Sequence, residues 1–437
     1  MARLFGTDGI RGLAGGDVLT EDLTRRVAFA AARELLVDGT GDRPVVVIGR
    51  DTRPSGPMLE AAAVEGFTAA GCDVVRLGVV PTPAVAHVVV RGAALGLVIS
   101  ASHNPAPDNG LKLFAAGGSK LTDAQEDAIE ARLDDVVPTA ARGADLTDST
   151  DAGRDYAEHL LSTVGSLDGL RVVVDGAQGA ASHVAPDVYR RAGATVTAIH
   201  CDGDGARINE GCGATHPESL AAAVVEHRAD IGIAHDGDAD RCIVVDASGT
   251  VLNGDQVLGL LALARKDAGL PAGDVLVATV MSNLGLVQAM AAADIAVVQT
   301  AVGDRYVLAA MLEGGHRLGG EQSGHVVMLD HATTGDGLLT ALQVMDRVVR
   351  SGRTVGELAS AVTLLPQVLV NVRAPRERAH ATDVLDAVAK EEAQLDGGGR
   401  VLLRPSGTEA LVRVMVEAPT QDDAEQIARR LADVVSR

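Results

Sequence analysis

Serine, histidine, aspartate and arginine recur in this chain in short polar segments that directly follow apolar runs. The first is Ile99-Ser100-Ala101-Ser102-His103-Asn104-Pro105, at the end of the apolar run Leu95 to Ile99. Pro105 and Pro107 stop regular ladder or helix bonding, so Ser102 is expected on a loop at the end of a buried strand. α/β proteins keep much of their chemistry at such strand ends. A hydroxyl there is a nucleophile only with help, because an alcohol is weak at its free pKa. No GxSxG elbow surrounds it, and His103, adjacent in sequence, is poorly placed as a triad base. Taken alone, the segment reads equally as a polar turn.

Asp236, Asp238 and Asp240 alternate at a spacing of two, directly between the apolar strands Ile231 to Ala234 and Cys242 to Val245. In an extended segment or tight turn that spacing converges three carboxylates, which repel unless a cation neutralises them. An EF-hand is excluded: its sixth position needs Gly where this chain has Arg241, and its twelfth needs Glu where it has Ala247. A solvated acidic turn is the alternative. All-oxygen ligands select Mg²⁺ over zinc and leave positions open for a phosphate oxygen. Arg404, Ser406, Gly407, Thr408 and Arg413 combine hydroxyls, a flexible backbone and guanidinium groups, a composition suited to a phosphate dianion. There is no GxxxxGK[ST], so a P-loop nucleotide site is not indicated. Glu321, Ser323 and His325, on a Gly-flanked loop, offer a carboxylate, a hydroxyl and an imidazole to sugar hydroxyls. Phe5-Gly6-Thr7-Asp8-Gly9-Ile10-Arg11-Gly12 adds Arg11 as an anion-binding candidate. A metal, a hydroxyl nucleophile, a phosphate cradle and a hydroxyl-reading loop together point to phosphoryl transfer on a phosphorylated sugar.

The elements that must carry these loops alternate strand and helix. Strands are expected at Val45 to Ile48, Asp73 to Leu77, Arg171 to Val174 and Thr195 to Ile199, and again at Val275 to Thr279 and Ala296 to Gln299. Helices fall between them, from Thr20 to Asp38 in the first case, which predicts α/β blocks with largely parallel sheets. From about Leu365 the order changes to strand, helix, strand, strand, helix, a smaller α+β domain. The Thr/Ala/Gly/Asp-rich stretch Pro138 to Gly153 reads as a linker. Domains are therefore expected over 1–150, 151–252, 253–365 and 366–437, consistent with a chain of 437 residues.

Composition narrows the partners. A formal charge of −21 and only 2% aromatic residues argue against nucleic acid, bound either through its backbone or by base stacking. No apolar run is long enough to span a membrane, and the N-terminus lacks the apolar core of a signal peptide. Cys72, Cys201, Cys212 and Cys242 form no CxxC pair, and reduced thiols in a cytoplasmic setting are expected.

The Ser-Ala-Ser-His-Asn-Pro, Asp-Gly-Asp-Ala-Asp-Arg, Gly-Glu-Gln-Ser-Gly-His and Arg-Pro-Ser-Gly-Thr-Glu segments, in that order across the chain, resemble the α-D-phosphohexomutase superfamily. Asn209 through Pro217 with its Cys-Gly-Ala-Thr-His, Val302 to Tyr306, and Gln322 are similar to the superfamily's glucosamine branch, where Cys-Gly-Ser-Thr-His is the usual form and Ala214 a mild departure. The resemblance implies four domains around a central cleft and a Ser102 that carries a phosphate. It implies Mg²⁺ held by Asp236, Asp238 and Asp240 together with the phosphate of Ser102. Interconversion of glucosamine 6-phosphate and glucosamine 1-phosphate through a bound 1,6-bisphosphate follows, supplying amino-sugar precursors for the cell wall. Glucosamine 1,6-bisphosphate or glucose 1,6-bisphosphate is the implied activator, and a bisphosphate or a priming kinase phosphorylates Ser102. Glu321, Ser323 and His325 would meet the sugar; Arg404, Ser406, Gly407, Thr408 and Arg413 would hold the non-reacting phosphate. Lys112 and His103 are candidates for proton transfer and charge stabilisation, assisted by Arg11 and Arg241. Mannose or glucose phosphates as substrates, a metal-dependent sugar-phosphate phosphatase and a non-catalytic sugar-phosphate sensor stay open as rivals. The sequence is equally silent on whether the chain forms a homo-oligomer.

Overall fold

The computed structural model describes residues 3–6, 8–36, 43–146, 150–270, 275–405 and 410–437. Two compact units result: residues 1–280 with 295–360, and residues 281–294 with 361–437. The helix Leu284–Ala292 thus packs with the C-terminal segment, although it lies inside the third sequence block.

In the larger unit the first block is a seven-stranded sheet in which Val45–Arg50, flanked by Asp73–Val79 and Leu95–Ile99, forms a parallel centre. Asp108–Ala115 returns antiparallel to Leu95–Ile99 and carries Ile10–Leu13 at the edge. Leu95–Ile99 is buried at every residue, as a central parallel strand covered on both faces must be. The helix Glu21–Leu35 starts where the Thr20 hydroxyl accepts from Leu23 N, buries Leu23, Val27 and Ala31, and packs against the helix Gly56–Ala70. Those two helices approach so closely that a Cβ on Gly66 would stand 2.2 Å from the Arg25 carbonyl oxygen. With no tryptophan in the chain, the core is aliphatic with a few phenylalanines: Ile10, Ile48, Leu59, Phe67, Leu97 and Phe114 are essentially inaccessible to solvent.

The second block is a five-stranded sheet with Arg171–Asp175 parallel to both Ile231–Ala234 and Thr195–Ile199, and Ile243–Asp246 antiparallel beyond. The third places Val275–Thr279 parallel to Ala296–Thr300 and Leu318–Gly320, with Val326–Met328 antiparallel at the edge. The α/β reading of the sequence holds, each sheet mixed by an antiparallel edge.

One expectation needs correction. Pro138 to Gly153 is not a bare linker: Asp145–Leu146 adds a strand parallel to Asp73–Val79, and the helix Thr150–Leu161 begins within the stretch. Two residues of strand are too short to leave an alternating pattern, and small polar residues mask the helix start. The predicted helix Thr20 to Asp38 ends at Leu35, and Asp38 lies outside the described residues.

The smaller unit is an antiparallel sheet, Gln367–Arg373, Leu411–Glu417, Arg400–Pro405, with the helices Thr382–Leu395 and Gln421–Val435. Val384, Val412, Val414, Ile427 and Leu431 form its core. Glu417, fully buried, accepts from Arg400 Nε at 2.8 Å and from Leu284 N at 2.8 Å, a charge paired on both oxygens rather than stranded.

Candidate active site

Ser102 sits just beyond Leu95–Ile99, at φ +52°, the left-handed region that costs a non-glycine residue about 1–3 kcal/mol. The surroundings over-determine it. Ser102 N donates to Ser100 Oγ (2.9 Å), which donates to Asp51 Oδ2 (2.6 Å). Asp51 also accepts from Arg53 N and Arg53 Nε, and both side chains are fully buried. The Arg53 guanidinium then spends its remaining four protons on the loop: Nη2 donates to the carbonyls of Ser102 (3.0 Å) and Asn104 (2.7 Å), Nη1 to those of Asp108 (2.9 Å) and Pro105. Asn209 Nδ2 donates to Ser102 O (2.9 Å) and Asn104 O (3.0 Å) from the second block. The clamp aims the hydroxyl at Asp236, whose Oδ2 accepts from Ser102 Oγ at 2.6 Å.

Asp236, Asp238 and Asp240 follow the strand Ile231–Ala234. Gly237 lets this loop approach the serine: a Cβ there would stand 2.5 Å from Ser102 O. One oxygen from each of the three buried carboxylates lies within 4.8 Å of the others. Asp238 Oδ2 accepts from Thr82 Oγ1 (2.6 Å) and Lys112 Nζ (2.8 Å), whereas Oδ1 of Asp238 and Oδ1 of Asp240 are buried with no hydrogen-bond partner. Orphaned oxygens in an oxygen-only donor set fit a hard divalent cation. Burial and the neighbouring Asp240 and Asp238 charges push the Asp236 carboxyl up to about 7, a penalty that a bound cation would remove.

Lys112 Nζ stands 2.8 Å from Asp8 Oδ2 and 2.8 Å from Asp238 Oδ2. Burial works against its charge, yet Asp238, Asp8 and Asp240 outweigh it and hold the ammonium well above its ordinary range. Its ammonium lies directly against the aspartate loop, where its charge faces theirs. His103 differs: its Nδ1 lies 3.3 Å from Ser102 Oγ, and burial with the Arg241 and Arg11 charges lowers its imidazole to about 4. A neutral ring can accept a proton from the serine. Arg11 donates to Ala101 O and Asp8, and its Nε, like that of Arg241, is buried without a hydrogen-bond partner. Two such guanidinium groups beside the serine suit phosphoryl oxygens.

The third loop is tied to the second. Cys242 N donates to Gly324 O (3.0 Å), and Arg241 and His325 form a bridge. Glu321 accepts from Gly303 N at 3.1 Å, and the buried Ser323 Oγ has no partner. His325 closes the same loop. It is buried, with Nδ1 3.6 Å from Asp240 Oδ2 and Nε2 3.6 Å from Asp304 Oδ2. Burial opposes its charge, but the two carboxylates raise its pKa.

Asp51, Arg53, Thr82 and Lys120 carry no role in the sequence reading, and Asp8, Asn209 and Asp304 enter it only as members of the segments Phe5 to Gly12, Asn209 to Pro217 and Val302 to Tyr306. Lys120 bridges Asp8 (2.7 Å) and Asp304, joining the N-terminal loop to the third block. The polar segment Arg50 to Gly56 follows the strand Val45–Arg50, and nothing in its local sequence indicates that Arg53 turns inward. In the smaller unit Arg404 and Arg413 face each other in register on adjacent strands. Ser406, Gly407 and Thr408 lie outside the described residues.

A clamped serine hydroxyl hydrogen-bonded to a three-aspartate loop, with buried cations and a tethered Glu/Ser loop around it, is an arrangement suited to metal-dependent phosphoryl transfer, the chemistry of the phosphohexomutase class. Comparison with known proteins agrees. The phosphoglucomutase/phosphomannomutase models match throughout: α/β/α domain I at residues 2–138, domain II at 154–249, domain III at 253–364 and the C-terminal domain at 369–434. A phosphoglucosamine mutase of Saccharopolyspora erythraea is 60% identical over 442 residues, covering 100% of this chain and 99% of its own. One of Rhodococcus jostii is 56% identical, with full coverage of both chains. A phosphoglucomutase/phosphomannomutase family protein of Burkholderia thailandensis has a similar structure: TM-score 0.83, 25% identity, 99% of this chain and 97% of that one. This chain belongs to that family, among the bacterial phosphoglucosamine mutases.

Proposed function

We propose that the protein interconverts glucosamine 6-phosphate and glucosamine 1-phosphate by way of phospho-Ser102 and a bound 1,6-bisphosphate. The observation that carries this is the Ser102 hydroxyl, clamped in a left-handed turn 2.6 Å from Asp236 and beside unpartnered carboxylate oxygens. In the forward direction the P–Oγ bond of phospho-Ser102 breaks as a P–O bond forms to O1 of the sugar, and the O1 hydroxyl proton passes to the departing Ser102 Oγ. In the second half-reaction Ser102 Oγ attacks the phosphorus at O6, the P–O6 bond breaks, and the phosphoserine is restored. His103 takes the serine proton in that step, and the departing O6 takes up a proton to leave as a hydroxyl. Lys112, Arg11 and Arg241 offset negative charge as the phosphoryl group moves. Glu321 and Ser323 hold sugar hydroxyls in either orientation of the intermediate. Arg404 and Arg413, with Ser406, Gly407 and Thr408, bind a phosphate dianion.

Asp236, Asp238 and Asp240 would hold Mg²⁺, which when bound supplies charge neutralisation and polarises the phosphoryl group. A trace of glucosamine 1,6-bisphosphate or glucose 1,6-bisphosphate, or a kinase, phosphorylates Ser102 initially. The four unbridged cysteines suit a reducing cytoplasm. Among the described residues no helix is long and apolar enough to cross a membrane.

The test is phosphorus NMR with Mg²⁺ and a trace of bisphosphate on glucosamine, glucose and mannose 6-phosphates separately. Preferential conversion of glucosamine 6-phosphate to its 1-phosphate, with little free phosphate, is expected. Preference for another sugar would overturn the substrate, and steady release of inorganic phosphate would overturn the mutase reading.

A further inference from the structure

A different donor set lies at the end of the neighbouring strand of the second sheet, where Asp175 pairs with Ala234, two residues before Asp236. Asp175 is the last residue of Arg171–Asp175, and His200 directly follows Thr195–Ile199. Those strands are parallel neighbours with Asp175 opposite Ile199, so both side chains leave the same C-terminal sheet edge. Cys212 joins them from the loop before the short turn Gly213–Thr215. One carboxylate oxygen, one imidazole nitrogen and the thiol sulfur lie within 4.8 Å of one another. We propose that Asp175, His200 and Cys212 form a second cation site, for a thiophilic divalent ion of the zinc class.

The donor chemistry separates this site from the catalytic one. Three carboxylates select a hard ion, whereas one sulfur, one nitrogen and one oxygen suit Zn²⁺ or Co²⁺ in a tetrahedral shell whose fourth position water completes. Cys212 forms no disulfide. Asp175 is already fixed: Oδ1 accepts from Ala177 N at 2.8 Å and Oδ2 from Gly213 N at 3.0 Å. His200 Nδ1 lies 3.0 Å from the same Oδ2, the hydrogen bond that the ion replaces. Asp175 and Cys212 are buried, while the His200 side chain is 30% exposed and opens a path from solvent. On binding, the thiol loses its proton to water and becomes the sulfur ligand. His200 presents the Nδ1 lone pair with its remaining proton on Nε2. Affinity therefore rises with pH.

The site has a structural consequence. Asn209, three residues before Cys212, donates its backbone N–H to Ala177 O and its side-chain amide to Ser102 O and Asn104 O. An ion joining Cys212 to the sheet edge steadies the segment from which Asn209 reaches the serine loop.

The test titrates the full-length protein with Co²⁺ in excess Mg²⁺, following the near-ultraviolet thiolate-to-cobalt charge-transfer band. Wild type is expected to take up one equivalent with that band, displaced by Zn²⁺. Cys212→Ser should lose the band and bind at least about 100-fold more weakly, while keeping its Mg²⁺-supported mutase activity. His200→Gln should weaken uptake as a second, independent variant should Cys212→Ser fold poorly. Asp236→Asn, altered at the other site, should keep the band. Absence of the band in wild type overturns the proposal, as does a band that survives Cys212→Ser, which would assign the sulfur to another cysteine.

Discussion

Replacing Arg53 by methionine removes a fully buried guanidinium whose five donors all find acceptors within the protein. Two losses follow. Asp51, equally buried, is left without its cation, and breaking a buried pair by removing one partner costs about 3–5 kcal/mol. Burial already raises the Asp51 carboxyl despite Arg53, so it takes up a proton more readily once the cation is gone. Separately, the carbonyls of Ser102, Asn104, Pro105 and Asp108 lose the fork that holds Ser102 at φ +52°, and a displacement of about 1 Å at the nucleophile costs roughly 100-fold in rate. The double variant Asp51→Asn/Arg53→Met separates the two, since it removes the stranded charge without restoring the fork. Urea unfolding and steady-state kinetics on the three proteins form the assay. The expected result is that the double variant regains part of the lost stability while kcat stays about 100-fold down, KM for the sugar phosphate being little changed. Near-normal kcat in folded Arg53→Met, or recovery of stability and kcat together, would refute the clamp as a positioning device.

His103→Gln should reduce kcat by about 10²–10⁴ without a matching change in stability, read by single-turnover phosphoryl transfer from the bisphosphate. Chelation should abolish turnover of wild type and Mg²⁺ should restore it; Asp238→Asn should raise the Mg²⁺ requirement, seen in activity against free Mg²⁺. Asp336 supplies a pH test. Burial raises this carboxyl, which caps the helix Gly337–Ser351 and accepts from Tyr156 Oη, to about 6. A folded-state pKa above the unfolded one adds stability that is full below about 4 and is lost as pH rises towards 6, on the order of 3 kcal/mol over that window. The stability difference between wild type and Asp336→Asn should therefore shift against wild type between pH 4 and 6 in urea unfolding. A difference independent of pH would remove Asp336 as the cause.

What the sequence disclosed and what it concealed differ in range. Ser102 and the aspartates of 236–240 were legible because their chemistry is contiguous: a strand, then reactive residues, then a breaker. The alternation of strands and helices was legible for the same reason, each element carrying its own apolar period. Asp8, Lys120 and Asp304 were not, because their meaning is their mutual contact across three separate segments. Arg53 was hidden by its type, since arginine is ordinarily read as exposed and its burial depends on carbonyls that only the folded loop presents. His325 carried the motif of a sugar contact, yet burial between Asp240 and Asp304 is a tertiary property that the motif does not encode.

The central claim is that Ser102 passes its phosphoryl group to the sugar and takes one back. The most direct measurement is to phosphorylate the protein with radiolabelled bisphosphate, remove excess reagent, and mix it with glucosamine 6-phosphate and Mg²⁺ in a rapid-quench apparatus. The account predicts label leaving Ser102 within one turnover and appearing in glucosamine 1,6-bisphosphate and the glucosamine phosphates, with none incorporated by Ser102→Ala. Label that stays on the protein while product accumulates, or that appears only as inorganic phosphate, would contradict it.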